Sequence, residues 1–290
     1  MSKLRRFLIA QQGSQTQEGG YLTFTTDGEQ GIGIYGNNSS VKLYYSYDRE
    51  TWTPMTITEN STDATYYSFS ASQPIYVRGY NLNGISYSIH IGGGTVGRYT
   101  YFTFQSSSNV YCDGSLAHLI NYKKNLSVLP ENANWNSLFN GCTQLVTAPT
   151  LIGEISINAF YRCSGLTSVT IPNSVTSIEK YAFCRCSGLT SVTIPNSVTS
   201  IGEWAFYECS GLTSVNIPDS VTNIKYCAFY CCLSLTSVYC NPTTPPILGQ
   251  YVFTINSSIR KIYVPSESVS AYKSAANWSE YADSIEAMPS

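Results

Sequence analysis

Residues 159–181 read AFYRCSGLTSVTIPNSVTSIEKY, residues 182–204 read AFCRCSGLTSVTIPNSVTSIGEW, and residues 205–227 read AFYECSGLTSVNIPDSVTNIKYC. Tandem copies this similar, at a period of 23 residues, mark a stack of identical structural units. The period runs on through Phe160, Phe183, Phe206 and Phe229, in step with Cys163, Cys186, Cys209 and Cys232 and with Leu166, Leu189, Leu212 and Leu235. An irregular unit with Phe139, Cys142 and Leu145 precedes these copies, and another ends at Phe253.

One copy predicts its own conformation. Leu166-Thr-Ser-Val169-Thr-Ile171 follows L-x-x-L-x-L, with Val169 and Ile171 inward at the period of two that a strand imposes. Pro172-Asn173 turns the chain. Val175 and Ile178 return to the core, and Ala182-Phe183 plugs the far side. Each such apolar side chain contributes about 1.5–3 kcal/mol when buried. A single copy cannot bury them, so each coil must cover the next.

The stack needs ends. After the strand-like Lys261–Val264, residues 266–288 carry Val269, Tyr272, Ala276, Tyr281, Ile285 and Met288 at mostly helical spacing. Asn277 as a stop and Ser279 as a fresh N-cap predict two short helices that seal the last coil. Residues 1–110 differ in kind. Alternating runs at Tyr21–Phe24, Ile32–Ile34, Val41–Tyr45, Ile75–Val77, Ile85–Ile89 and Tyr99–Phe104 are separated by Gly, Asn and Asp turns. That spacing predicts an antiparallel β-sandwich, with Trp52 beside a hairpin built on Asp48-Arg49. The expected organisation is a mainly β chain: a sandwich over 1–110, a junction over 111–138 with a helical turn within 115–122, a right-handed repeat solenoid over 139–265, and a helical cap over 266–290.

The string IPNSVTSI-x-x-x-AF-x-x-C-x-x-LTSV resembles the BspA-like, or Treponema-type, leucine-rich repeat family over roughly residues 139–265. The tail from Ser268 is similar to the end cap of such proteins. Leu43–Trp52 together with Leu138–Leu145 resembles an arrangement in bacterial surface proteins and in phages and prophages. The resemblance implies adhesion or receptor binding and brings no catalytic residues.

Composition narrows the function classes. Lys and Arg total 16 against 18 Asp and Glu, a net charge of −2, which argues against a partner bound through neutralised phosphates. Charged residues are only 12% and tyrosines number 24, a mixture closer to recognition surfaces than to metabolic enzymes. The basic start Lys3, Arg5, Arg6 precedes only the apolar stretch Phe7–Ala10, whereas a secretory h-region needs about 7–15 residues, so no leader is expected. No run approaches the roughly 20 apolar residues of a membrane span, so no membrane insertion is expected.

Ten cysteines pose a separate question. The five in register, Cys142, Cys163, Cys186, Cys209 and Cys232, hold the same place in successive coils; stacked strands lie about 4.8 Å apart, near the short limit for a disulfide, so buried free thiols are expected. Cys112, Cys184, Cys227, Cys231 and Cys240 follow no zinc spacing, and neither a metal nor another cofactor is expected. His90 and His118 lack triad partners and read as structural, the glycines of 92–97 read as a turn rather than a phosphate loop, and no carboxylate pair suggests glycoside hydrolysis. Asn38-Ser-Ser and Asn60-Ser-Thr fit glycosylation acceptors of a eukaryotic secretory route.

Variation inside the copies is the remaining signal. It gathers at 179–181, 202–204 and 225–227, and at 161–162, 184–185, 207–208 and 230–231. Tyr161, Arg162, Tyr181, Arg185, Trp204, Tyr207, Tyr226 and Tyr230 are therefore the candidate binding residues, of types enriched at interaction hot spots. The alternative is drift on a solvated edge. Ser168, Thr170, Ser191, Thr193, Ser214, Asn216, Ser237 and Tyr239, on the strand face, are small and mostly uniform. The expected function is non-enzymatic recognition of a cell-surface protein or glycan, displayed on a phage virion or bacterial surface, with the N-terminal domain engaging virion or envelope components. A scaffold in which the solenoid is a rigid spacer is the alternative.

Overall fold

The computed structural model describes residues 20–36, 41–58, 65–79, 86–91, 94–98, 100–116, 119, 133–256 and 261–289. The start of the chain, both glycosylation acceptors, His118 and most of the helical turn expected within 115–122 lie outside them.

Each copy forms one coil. Ser191–Thr193, Ser214–Ile217, Ser237–Cys240, Lys261–Val264 and Ile285–Ala287 make a parallel sheet on one side. Ser177–Ile178, Ser200–Ile201, Asn223–Ile224 and Ile247–Leu248 make a second parallel ladder on another. The register puts each residue beside its own copy, as in Ser191 opposite Ser214 opposite Ser237. Ser191, Thr193, Asn216 and Tyr239 face outward, while Val192, Val215 and Val238 face the core.

The third side of each coil is a tight turn, and it carries the phenylalanines. Phe139, Phe160, Phe183, Phe206, Phe229 and Phe253 are all essentially inaccessible. They stack face to face at 5.0–5.8 Å with neighbouring planes within 14°. The amide of Phe160 donates to the Ala182 carbonyl at 2.8 Å, and the same rung recurs from Phe183 to Ala205 and from Phe206 to Ala228. The carbonyls of Phe139, Phe160, Phe183 and Phe206 each accept twice. Phe160 takes the Cys163 amide of its own coil at 3.1 Å and the Cys186 thiol of the next at 3.0 Å. Cys163, Cys209 and Cys232 repeat the thiol bond to Phe139, Phe183 and Phe206. The copied cysteine is thus a small apolar group that also satisfies a buried carbonyl. Close approach of the coils also uses glycine. A Cβ at Gly188 or Gly211 would lie 2.5 or 2.4 Å from the carbonyl oxygen of Ser164 or Ser187.

The N-terminal part supplies the first layer of the same stack. A six-stranded sheet runs in the order Leu145–Thr147, Val110–Asp113, Leu22–Thr26, Ile75–Gly79, Leu43–Ser46, Thr53–Pro54. Against it lies a four-stranded sheet in which Gln30–Gly36 pairs with Thr100–Phe104, Ile57–Thr58 and Tyr67–Phe69. Phe24 of the first sheet meets Phe102 of the second at 5.4 Å. Phe102 in turn stacks on Phe139 at 5.3 Å, donates its amide to the Leu138 carbonyl and accepts the Cys142 thiol. It performs for the first coil what each coil's phenylalanine performs for the next. The expected hairpin is present: Leu43–Ser46 pairs antiparallel with Thr53–Pro54 across a turn in which Asp48 accepts from the Ser46 hydroxyl and the amides of Glu50 and Thr51. The short strands 57–58, 67–69 and 110–113 were not legible as alternating runs.

Two sequence expectations change. Gly94–Arg98 is a strand paired with Ser86–Ile91, so the glycine-rich turn does not extend to residue 97. The C-terminal cap is also less helical than its spacing suggests. One α-helix, Val269–Ser274, is followed by the 3-10 helix Trp278–Ser284, and Asn277 rather than Ser279 precedes it with φ at +63°. Ile285 belongs to a last strand that extends the sheet of the coils, because its backbone can complete an otherwise open edge. Phe253 ends the stack against Trp278 and Tyr281, whose polar atoms find partners: the indole donates to the Pro246 carbonyl, and the Tyr281 hydroxyl accepts the Phe253 amide.

Replacing Phe206 by Ala is expected to cost about 3–5 kcal/mol in chemical denaturation, since the cavity lies between two other rings. A loss below about 1 kcal/mol would contradict the buried stack.

All ten cysteines are free thiols, and only Cys231 is partly exposed. Burial holds Cys163, Cys186 and Cys209 well above the ordinary thiol range. A folded pKa raised above the unfolded one is stabilising below the unfolded value and is lost as pH rises beyond it, so stability is expected to fall progressively above about pH 8.5. Thiol titration should find Cys231 reacting first in the native protein and all ten groups in denaturant. Fewer free groups in denaturant without reductant would reveal bonded cysteines.

Candidate functional site

The varied positions form rows along the turn side. Two residues before each phenylalanine stand Asn158, Tyr181, Trp204, Cys227 and Tyr251, and two residues after stand Arg162, Arg185, Glu208, Cys231 and Ile255. Every one of these ten has a positive φ of 52–63°. The tight turn demands the left-handed region twice per coil. A non-glycine residue there costs about 1–2 kcal/mol, yet glycine takes such a position only at Gly141, two residues after Phe139, and none of these ten. Their backbone is fixed by rungs like those under the phenylalanines: Tyr181 donates to the Glu203 carbonyl and Arg185 to the Tyr207 carbonyl.

Rigid turns place their side chains in contact. Tyr181 stacks on Trp204 at 4.9 Å and 7°, Tyr161 meets Tyr181 edge-on at 6.2 Å, and Tyr226 meets Trp204 edge-on at 5.1 Å. Tyr207 stacks on Tyr230 at 5.5 Å and 6°. Pairs of this kind contribute about 0.5–1.5 kcal/mol each beyond burial. Lys180 lies over the Trp204 ring at 4.5 Å and pairs with Glu203 at 2.8 Å. Arg185 pairs with Glu208 at 2.9 Å, which raises the guanidinium pKa. The hydrogen bond to Glu208 is the main reason that the Tyr207 hydroxyl is pushed up to about 12, with burial second.

An open groove of about 490 Å³ lies among these rows, lined by Asn140, Asn158, Tyr161, Tyr181, Cys184, Arg185, Trp204 and Tyr207. It gathers five of the eight candidate residues. Arg162, Tyr226 and Tyr230 lie outside it, with Arg162 beside the Tyr161 ring at 5.2 Å. Sequence reasoning did not assign Asn140, Asn158 and Cys184 to the site. Aligning the irregular first unit by its phenylalanine finds the asparagines: Asn140 follows Phe139 as Tyr161 follows Phe160, and Asn158 precedes Phe160 as Tyr181 precedes Phe183. Burial pushes the Cys184 thiol up to about 12, so it is a poor nucleophile at neutral pH. Among the described residues no three His, Cys, Asp or Glu side chains converge as a metal site would require. Also among them, no helix is long and apolar enough to cross a membrane.

Comparison with known proteins concerns the coils. Residues 109–196 and 153–280 match the model of the BspA type leucine rich repeat region, in six copies. Similar solved structures include a leucine rich cell surface protein from Faecalibacterium prausnitzii, at 27% identity over 62% of this chain with a TM-score of 0.41. The chain covers 46% of that protein's length. A leucine rich repeat protein from T. pallidum is 24% identical over 52% of this chain and 82% of its own, with a TM-score of 0.38. One from Bacteroides ovatus is 20% identical over 55% of each chain, with a TM-score of 0.34. No curated protein matches.

The left-handed turns give a direct test. Arg162→Gly is expected to leave stability unchanged or raise it by up to about 1 kcal/mol, because relief of the left-handed penalty exceeds glycine's entropic cost of about 0.5–1 kcal/mol. A destabilisation of more than about 1 kcal/mol in urea would show that the Arg162 side chain holds the turn together.

Proposed function

The chain belongs to the BspA-type leucine-rich repeat family, and from that premise we propose that it is a non-enzymatic recognition module whose varied turn side engages a cell-surface protein or glycan. One observation carries the reading: side chains that differ from coil to coil converge on one groove, while the positions beneath them are copied. Tyr, Trp and Arg, the residue types that dominate binding hot spots, line it on a backbone that strand-like rungs hold rigid. Such a surface loses little entropy on binding.

In this reading the two packed N-terminal sheets are a β-sandwich that attaches the protein to its carrier, a bacterial surface or a phage virion, and the coils are a right-handed solenoid that presents the groove. The continuity of the ring stack from Phe24 to Trp278 supports a rigid connection between the two ends. It also favours the second reading, in which the solenoid is a spacer and the groove binds nothing.

The full chain, fluorescently labelled, is to be measured for binding to intact bacterial and epithelial cells. Trp204→Ala combined with Tyr207→Ala is expected to weaken binding by about thirtyfold or more, the equivalent of a hot-spot loss of about 2 kcal/mol. Thr193→Arg on the exposed strand face should leave it unchanged. The reverse pattern would move the site to the sheet, and binding unaffected by either would favour the spacer.

A further inference from the structure

The row that directly follows the phenylalanines reads Asn140, Tyr161, Cys184, Tyr207, Tyr230, Thr254. Where this row has tyrosines in adjacent coils, the rings stack, as Tyr207 and Tyr230 do at 5.5 Å. Cys184 interrupts the row. Its side chain is buried and short, and the groove opens above it, with Tyr161 on one side and Tyr207 on the other. Those two positions are two coils apart, about 10 Å at the usual spacing of about 4.8 Å per strand. Between two of the row's tyrosines one position carries no ring. Tyr230 covers one face of Tyr207 from the coil beyond, which leaves the other face toward the coil of Cys184.

The rest of the lining states what can enter. Tyr181 and Trp204, also in the lining, spend faces on each other, and Tyr161 meets Tyr181 edge-on. Asn140 and Asn158 bring two carboxamides, each a donor and an acceptor. The lining's only ionised group is Arg185, and Glu208 already pairs with it; Lys180 and Glu203 neutralise each other at the rim. Within the lining itself an anionic ligand would find no unpaired cation; Arg162 stands outside it, beside the Tyr161 ring at 5.2 Å. An apolar side chain from a partner protein would leave amides and hydroxyls desolvated without hydrogen bonds, which is costly. A chair-form sugar ring meets both demands, with C–H faces toward the tyrosine rings and hydroxyls toward the amides. The groove's volume of about 490 Å³ admits more than one such unit.

We propose that the gap left by Cys184 between Tyr161 and Tyr207 is a subsite for one ring of an uncharged oligosaccharide. The proposal rests on the reading of the varied side as the recognition surface, and it names the chemistry of the partner. The variant that tests it is Cys184→Tyr. Three other coils carry tyrosine at this position, so the turn accommodates it, and the new ring fills the gap. Cys184→Ala keeps the gap open.

The full chain is to be applied to an array of gluco-, manno-, galacto-, xylo- and N-acetylhexosamine oligosaccharides, with sialylated and sulfated counterparts, and thermal unfolding recorded for each variant. The wild-type chain should retain at least one uncharged oligosaccharide. Cys184→Ala should retain it with similar affinity, and Cys184→Tyr should bind it about tenfold more weakly or worse, with an unchanged unfolding transition. Unaltered binding by Cys184→Tyr, preference for the sialylated or sulfated forms, or retention of no sugar at all would overturn the proposal. In the last case the cell-binding measurement separates the two readings. If Trp204→Ala with Tyr207→Ala still abolishes adhesion, the varied side recognises something other than a neutral sugar; if adhesion too is unaffected, the recognition reading itself fails.

Discussion

Each residue of a coil lies one strand spacing from its own copy in the next, and this self-contact governs the whole molecule. A side chain in the interior must pack against itself. Phenylalanine satisfies that demand by stacking, at 5.0–5.8 Å from ring to ring. Cysteine satisfies it by bonding its thiol to the carbonyl of the preceding coil's phenylalanine. Threonine does so on the surface, where the hydroxyls of Thr213 and Thr236 reach the carbonyls of Thr190 and Thr213. Few residue types solve the problem, so the same ones recur, and the sequence is copied. The stack must also begin and end on something other than a coil. Phe102 and the two N-terminal sheets serve at one end, Trp278 and Tyr281 at the other.

The constraint relaxes on the turn side. From the coil of Phe160 onward, positions two before and one or two after the phenylalanine lie at the surface, the buried Cys184 and Cys227 excepted, and their backbone is secured by main-chain rungs whatever the side chain is. They can differ from coil to coil without disturbing the interior. Their left-handed conformation favours glycine, yet tyrosine, tryptophan and arginine occupy it.

Self-contact explains what could be read in advance. The coils, the buried phenylalanines and the reduced cysteines follow from a 23-residue period and the size of a side chain. The varied rows follow from the same alignment by subtraction. What was not legible depends on contacts between unlike parts. Nothing local marks Phe102 as the first member of the stack, because its neighbours alternate as in any strand. Ile285 continues the helical spacing of the cap, but the open edge of Lys261–Val264 claims it. Trp278, the largest buried ring of the cap, sits between the apolar positions that the spacing singled out. The groove needed the fold as well: Asn140 and Asn158 lie in the irregular first unit, and Cys184 stands between Tyr161 and Tyr207, two coils and 46 residues apart.

Native-state hydrogen exchange at the phenylalanine amides tests the continuous stack most directly. The amides of Phe102, Phe139, Phe160, Phe183 and Phe206 each donate across a layer boundary or into the adjoining coil. All five are expected to be strongly protected, with the Phe102 and Phe139 amides opening together with those of the inner coils rather than ahead of them. Rapid exchange at Phe102 and Phe139 beside slow exchange at Phe183 and Phe206 would show that the N-terminal sheets do not form the first layer of the stack.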